Sequence, residues 1–351
     1  VLRLKFRLGM FDEPYVDEDR AEAVARHTDH LQVALDAARQ SMVLLKNEAN
    51  TLPLDKSIGA VAVIGPNSDD EWAQLGDYAP AHRPEAVTTI LQGIEGIVSE
   101  GTEIHYARGC EIRDPSTEGF EEAIEAARKS DVIIVAVGGS STGVIDEEDG
   151  KLRSRRSSNS DCGESSDRAT LDLLGVQEDL LKALKATGKP LIVVLVHGRA
   201  MSINWVAENA DAILDAGYPG EAGGTAVAQT LFGDYNPGGR LTVSAPKHVG
   251  QLPVYYYSKF ESRGPYVDLD NSPIYPCGYG LSSTTFSYDN LRLSTERIKP
   301  DETTRVSVDV TNTGDVVGDE VVQLYIRDEL CSVMRPWKQL KAFDRIHLEP
   351  G

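Results

Sequence analysis

Positive charge, cysteine and long apolar runs are all scarce in this sequence, and each shortage removes a class of function. Lys and Arg total 35 against 55 Asp and Glu, a net charge of −20. A chain this acidic lacks the broad cationic footprint that nucleic acid or an anionic membrane surface demands, so neither is expected as a partner. Neutral ligands such as sugars remain open. No stretch approaches the ~18 uninterrupted apolar residues of a transmembrane helix. The four cysteines (Cys110, Cys162, Cys277 and Cys331) are far apart and form no C-x-x-C, which argues against a zinc ribbon or a disulfide scaffold. No N-x-[ST] acceptor, P-loop lysine or G-x-G-x-x-G occurs. The start, VLRLKFRLGMFDEPYVD, has neither the apolar core nor the cleavage site of a signal peptide. Together with the turn-like Leu348-Glu349-Pro350-Gly351 at the other end, it reads as a fragment with material missing at both ends.

What is present reads as two kinds of structure. Hydrophobic residues at 41% and charged residues at 26% are ordinary for a folded protein, and 351 residues suggest two or three domains. Helical spacing runs from Asp17 to about Gln40, followed by the apolar run Met42–Leu45. Strand-length apolar runs (60–65, 103–107, 131–138, 190–196, 211–216) then alternate with amphipathic segments (86–98, 119–129, 176–186, 222–232). Strands buried on both faces and separated by helices predict an α/β fold with a mainly parallel sheet sandwiched by helices. After Pro246 the composition turns to Tyr, Pro, Gly and Ser. Beyond residue 284, period-2 segments appear without helices (285–293, 303–311, 318–326, 340–348), with Asn312-Thr313-Gly314-Asp315 as a hairpin-type turn. These predict a β-sandwich of immunoglobulin-like type, incomplete because such a domain needs about 100 residues and only about 65 remain.

The segment from about Gly139 to Thr170 is long for a connection inside an α/β domain, and such connections are usually functional or disordered. It leaves the carboxyl end of a strand, where open α/β sheets place ligands. It carries four acids at 146–149, a basic patch at Arg153, Arg155 and Arg156, and then DCGESSDRATL. Either it is a solvated flap of mixed charge, or one of its carboxyls reaches a cleft as a general acid/base. Glu164 is the leading candidate, because Gly163, Ser165 and Ser166 let the backbone approach a ligand. Gly139-Ser140-Ser141-Thr142-Gly143 also fits the G-x-S-x-G elbow of serine esterases, with Asp211 and His248 in the usual triad order. That elbow requires a helix immediately afterwards, and no helical period follows. Gly217–Thr225 (GYPGEAGGT) joins a strand to a helix, with close strand–helix packing favoured over an anion site. His27 and His30 share a helical face, which is weak evidence for metal. His197, ending a buried strand, reads as a hydrogen-bonded core residue.

Longer strings go further. SMVLLKNEANTLPL (41–54), VAVIGPNSDD (61–70), GYPGEAGGTAVAQTLFGDYNPGGRLTVSAP (217–246), YPCGYGLSSTTFSYDNLRL (275–293), VTNTGDVVGDEVVQLYIRD (310–328) and RPWKQLKAFDRIHLEPG (335–351) resemble glycoside hydrolase family 3 of the β-glucosidase and β-xylosidase type. The resemblance covers nearly the whole chain. It implies a (β/α)8 barrel first, then an α/β sandwich, then in many members a fibronectin type III-like domain. On that plan residues 1–40 are the linker and helix leaving an absent barrel, 41–250 the α/β sandwich, 251–284 a linker and 285–351 a truncated fibronectin type III-like domain. The family is typically retaining, with a barrel Asp as nucleophile and a Glu of the α/β domain as acid/base, often within G-E-G-x-D-R. Here that motif reads Gly163-Glu164-Ser165-Ser166-Asp167-Arg168, with Ser165 in place of a glycine. Glu164 takes the catalytic position, Glu147 and Glu148 are fallback carboxyls, and Asp167 and Arg168 are expected as a structural pair. Leu75-Gly76-Asp77-Tyr78 falls where relatives place an aromatic beside the +1 sugar, so Asp77 and Tyr78 are expected to bind substrate, with an exposed loop tyrosine as the alternative. The resemblance implies an exo-acting retaining β-glycosidase of plant oligosaccharides, with a β-linked glycoside as substrate, the barrel as partner, no metal or organic cofactor, and a secreted or periplasmic setting. It leaves open a homodimer and a purely sugar-binding or structural role for this piece alone.

Overall fold

The computed structural model describes residues 1–351 except 80–83, 142, 149–150, 157–158, 165 and 260–265, and except the side chains of 84, 143–148 and 151–156. In chain order the elements are α1 (Leu2–Arg7), α2 (Glu18–Val24), α3 (Thr28–Ser41), β1 (Val43–Asn47), β2 (Ala60–Ile64), α4 (Glu71–Leu75), α5 (Ile90–Glu95), β3 (Glu103–Ala107), α6 (Phe120–Lys129) and β4 (Val132–Gly138). There follow β5 (Gly143–Glu148), β6 (Lys151–Arg156), α7 (Gln177–Lys185), β7 (Leu191–Val196), α8 (Asn204–Asn209), β8 (Ala212–Gly217) and α9 (Gly223–Leu231). The last four are β9 (Phe286–Leu293), β10 (Val306–Asn312), β11 (Gly318–Ile326) and β12 (Gln339–Leu348).

The main sheet has the order β1-β8-β7-β4-β2-β3. All neighbours are parallel except β1, which runs antiparallel to β8. Burial follows the pleat. Ile133, Val135, Val193 and Leu195 face one layer with Ala123 of α6, Leu180 and Leu184 of α7 and Val206 of α8. Val132, Ile134, Ile192 and Val194 face the other, with Ile90 and Ile94 of α5 and Val227 and Leu231 of α9. Strands covered on both faces must be apolar at every position, which is why VIIVAVG is buried throughout. α6 shows the helical half of the logic. Ala123, Ala126 and Ala127 form its buried stripe, Glu121 and Glu122 sit at its positive end, and Arg128 and Lys129 at its negative end.

Several expectations change at the boundaries. The helical pattern of 17–40 is two helices, broken where Arg26 takes a left-handed φ of 57°. The 86–98 segment is helical only over α5, opened by a capping box between Thr89 and Gln92. Much of 251–284, read as a linker, returns to the sheet. Tyr275 is buried in the core, Gly278 N donates to Leu241 O at 2.7 Å, and Leu281 N donates to Leu44 O at 2.8 Å.

At the carboxyl-terminal end, β9 pairs with β10 and β11 with β12, as two separate antiparallel sheets. The expected hairpin at Asn312–Asp315 therefore joins strands of different sheets. Asn312, 1% exposed, holds that corner: its amide donates to Val316 O (2.8 Å) and Leu348 O (3.0 Å), and its carbonyl accepts from Thr284 Oγ1 (2.7 Å). Side-chain bonds of this kind build a corner where the ladder stops. The sandwich is tied to the α/β part by Arg240 Nη2 on Glu320 (2.6 Å), with Tyr288 donating to the other Glu320 oxygen (2.6 Å).

Candidate functional site

Taken in chain order, the parallel strands β2, β3, β4, β7 and β8 lie side by side as fifth, fourth, third, first, second. After β3 the chain crosses β2 and continues on its other side. The crevice at the carboxyl ends of β2 and β4 is therefore the topological switch point, where open α/β sheets bind ligands. The loops after both strands meet there. Asn67, just past β2, donates from Nδ2 to Gly139 O at 3.0 Å, just past β4.

The long segment after β4 is not one open loop. It contains the antiparallel hairpin β5–β6, whose strands carry Glu147 and Glu148 and the arginines Arg153, Arg155 and Arg156. Those side chains lie outside the described residues. The excursion closes at its neck, where Asp161 N donates to Ser140 O (2.8 Å) and Asp161 Oδ1 accepts from Ser140 N (3.0 Å). This approach needs a glycine at 139, where a Cβ would lie 2.3 Å from Asp161 Oδ2.

Immediately beyond the neck is a tight turn, closed by Ser166 N donating to Gly163 O at 3.1 Å, with Glu164 inside it. Glu164 is exposed among this chain's residues. Asp77 Oδ2 accepts its backbone N–H at 3.0 Å, and Asp77 Oδ1 accepts that of Tyr78 at 3.1 Å. Asp77 thus joins the loop after α4 to the turn through backbone contacts. Tyr78 is 78% exposed and takes a left-handed φ of 61°, which side chains rarely adopt. The Glu164 carboxylate beside its phenol holds the Tyr78 pKa above the ordinary tyrosine value.

The expected Asp167–Arg168 pair is replaced by two other pairs. Arg168 Nη1 meets Asp161 Oδ2 at 2.5 Å, with both side chains only 4% exposed, while Nε donates to Thr170 O at 2.9 Å and Nη2 to Asp172 O. Asp167 instead accepts from Arg199, which follows β7, and that hydrogen bond lowers the Asp167 pKa. The floor of the crevice is Tyr218, whose ring fits between two glycines: a Cβ at Gly76 or Gly198 would lie 2.5 or 2.4 Å from it. Burial pushes its phenol well above the ordinary range, next to Ser141 and Cys162. Burial opposes charge on His197, but Asp215 Oδ2, 3.2 Å from Nε2, outweighs it and raises that pKa.

The esterase reading fails on geometry. The strand β5, not a helix, follows Ser141. Ser141 lies past the carboxyl end of β4, whereas Asp211 precedes the amino end of β8, about 20 Å away across six parallel residues. Asp211 is engaged by Lys185 (2.8 Å) and Leu191 N (2.7 Å). His248 caps its own turn through Gly250 N at 3.0 Å. His27 caps α3 by accepting from Asp29 N, and its ring meets that of His30 edge-on with centroids 6.0 Å apart. The close packing expected at GYPGEAGGT is helix on helix: a Cβ at Gly224 would lie 1.9 Å from Thr89 O, at the start of α5. All four cysteines are free thiols. Among the described residues, no helix is long and apolar enough to cross a membrane.

The structure brings the expected Glu164, Asp77 and Tyr78 together, and beside them stand Asp161, Arg199 and Tyr218, which sequence reasoning had not singled out. Asp161 lay within the quoted DCGESSDR string. Arg199 and Tyr218 come from other strands and gave no local signal.

Comparison with known proteins agrees with this architecture. Residues 42–283 match the glycosyl hydrolase family 3 C-terminal domain, and residues 320–351 match a fibronectin type III-like domain. The whole chain is 45% identical to a β-xylosidase of Formosa agariphila and 38% identical to a periplasmic β-glucosidase of Salmonella typhimurium, covering 47% and 48% of them. The chain thus spans about half the length of these curated relatives. Among solved structures, the β-glucosidase EmGH1 of Erythrobacter marinus superimposes with a TM-score of 0.87 at 40% identity, over 99% of this chain and 47% of that one. A β-glucosidase of Listeria innocua in complex with isofagomine gives 0.87 at 30% identity, over 100% and 47%. On the family match, the relatives and the shared fold, this chain belongs to glycoside hydrolase family 3.

Proposed function

We propose that this chain supplies the acid/base half of a retaining exo-β-glycosidase that releases terminal β-glucose or β-xylose. The other half would be a barrel domain carrying an Asp nucleophile. The observation that carries the reading is the placement of Glu164: an exposed carboxyl on a pinned turn at the switch point, bracketed by Asp77 and Tyr78. The unusual backbone of Tyr78 supports a working role for that loop, since strained residues persist where surrounding structure holds them for a purpose.

In the first step protonated Glu164 gives its proton to the glycosidic oxygen while the Asp carboxylate attacks the anomeric carbon. The carbon–oxygen bond breaks and a glycosyl-enzyme forms. In the second step Glu164, now ionised, takes a proton from water, which attacks the same carbon and releases the Asp. The cycle begins with Glu164 protonated. Retaining geometry requires the two carboxyls to lie about 5–5.5 Å apart. Tyr78 would offer a ring face to the sugar beyond the scissile bond. A periplasmic or secreted location fits the periplasmic relative.

The test uses the full-length protein with p-nitrophenyl β-glucoside and β-xyloside. Glu164→Ala should lose turnover of substrates with poor leaving groups by about 100-fold or more, and on the activated p-nitrophenyl glycosides azide should restore the second step and give a β-glycosyl azide. Wild-type rates in the variant would remove Glu164 from the mechanism. If wild type binds but cleaves neither sugar, the chain is a sugar-binding module.

A further inference from the structure

We propose that Arg168 and Arg199 are positioning residues for the acid/base turn, an inference that rests on the assignment of Glu164 above. Three carboxyls stand three residues apart, at Asp161, Glu164 and Asp167. Left alone, that charge would drive the turn open. Instead each outer carboxylate is held by one guanidinium, and Glu164 stands between them. Arg168 is buried and spreads its donors over Asp161, Thr170 O and Asp172 O. Asp161 is in turn locked to Ser140. This clamp ties the front of the turn to the end of β4. Arg199 lies three residues past Val196, and its hold on Asp167 ties the back of the turn to the end of β7. With Asp77 accepting its backbone N–H, Glu164 therefore sits on a turn tied to two adjacent strands of the sheet as well as to the loop after α4.

Neither arginine touches the reacting atoms in this arrangement; each acts by holding the carboxyl in register with the leaving oxygen. Displacement of a reacting group by about 1 Å can cost about 100-fold in rate. A lost clamp should therefore weaken proton donation specifically. The cost should fall on substrates whose leaving groups need a proton and spare activated ones that do not.

The experiment measures, in the full-length enzyme, the ratio of kcat/KM between an alkyl glycoside and a 2,4-dinitrophenyl glycoside, because kcat/KM reports the proton-donating first step alone. Wild type, Glu164→Ala, Arg168→Gln, Arg199→Met and Arg199→Lys are compared after circular dichroism confirms folding. The expected result is an alkyl-to-dinitrophenyl ratio reduced about 10–100-fold in Arg168→Gln and Arg199→Met. Arg199→Lys keeps a single ion pair to Asp167 and should stay near wild type. Folded arginine variants that slow equally on both substrates, or on neither, overturn the proposal. If Arg168→Gln does not fold, Arg199→Met decides alone, because its pair is partly exposed. If Glu164→Ala itself shows no selective loss, the acid/base assignment falls and takes the clamp with it. Selective loss in Glu164→Ala with an unchanged ratio in the arginine variants overturns only the clamp.

Discussion

Glu320 gives the sharpest stability test. Its side chain and that of Arg240 are each 11% exposed, and Glu320 accepts two bonds of 2.6 Å, from Arg240 and from Tyr288. Removing one partner of a buried ion pair strands the other charge in low dielectric, at a cost of about 3–5 kcal/mol. Glu320→Ala should therefore cost about 4 kcal/mol at the join between the α/β part and the sandwich. Glu320→Gln keeps an acceptor for Tyr288 and should cost less, about 2 kcal/mol. The double variant Glu320→Met with Arg240→Met removes both charges together and should cost clearly less than Glu320→Ala. Urea unfolding followed by fluorescence reads this by region. Trp337 reports the sandwich side, Trp72 and Trp205 the α/β side, in variants that keep one of them. With a slope of about 2 kcal/mol per M, the Trp337 midpoint should fall by about 2 M in Glu320→Ala. A shift worth under about 1 kcal/mol would show that water reaches the pair, as it does in surface salt bridges, and would refute the reasoning.

Two further outcomes follow from burial. Burial, helped by Glu111 and opposed by Arg108, pushes the Cys110 thiol up to about 12, so the folded chain keeps a proton that the unfolded chain releases from about pH 9. The unfolded state then binds fewer protons, and stability falls with rising pH by about 1.4 kcal/mol per unit between those limits. Cys110→Ala should flatten that slope by this amount in chemical melts between about pH 9 and 10, and an unchanged slope would remove Cys110 as its source. At Gly224, a methyl group would meet the backbone of Thr89, which has no rotamer to yield. Gly224→Ala should therefore cost about 3 kcal/mol by overpacking, while Gly101→Ala, with open space around it, should leave the melting temperature within error.

The parts of the fold that were legible in the sequence are those where one local rule decides. VIIVAVG must be a doubly covered strand because no position in it tolerates water, and the alternation of such runs with amphipathic segments fixes the α/β layers. Elements set by partners were not legible. Asn312-Thr313-Gly314-Asp315 has hairpin chemistry, yet the Asn312 side chain spans to Val316 and Leu348 and turns the chain into another sheet. Glu164 could be singled out because its small neighbours and its motif are contiguous. The residues around it could not, because Arg199 and Tyr218 arrive from strands that are neighbours only once the sheet has formed. The Asp167–Arg168 expectation failed for the same reason. Adjacent residues on a tight turn point apart, and each found a partner elsewhere.

The neck formed by Ser140 and Asp161 has a consequence for how this site can vary. The segment leaves and re-enters through two hydrogen bonds between Ser140 and Asp161, backed by Asn159 on Ile112 N and Glu111 and by Ser160 O on Arg113, and downstream of them the Glu164 turn begins. Past such a clasp, changing the length of the β5–β6 hairpin itself costs mainly loop-closure entropy, and doubling a loop costs about 0.6 kcal/mol. The β5–β6 hairpin is thus a detachable appendage: its reach can be redesigned while the coordinates of the carboxyl next door stay where the sheet puts them.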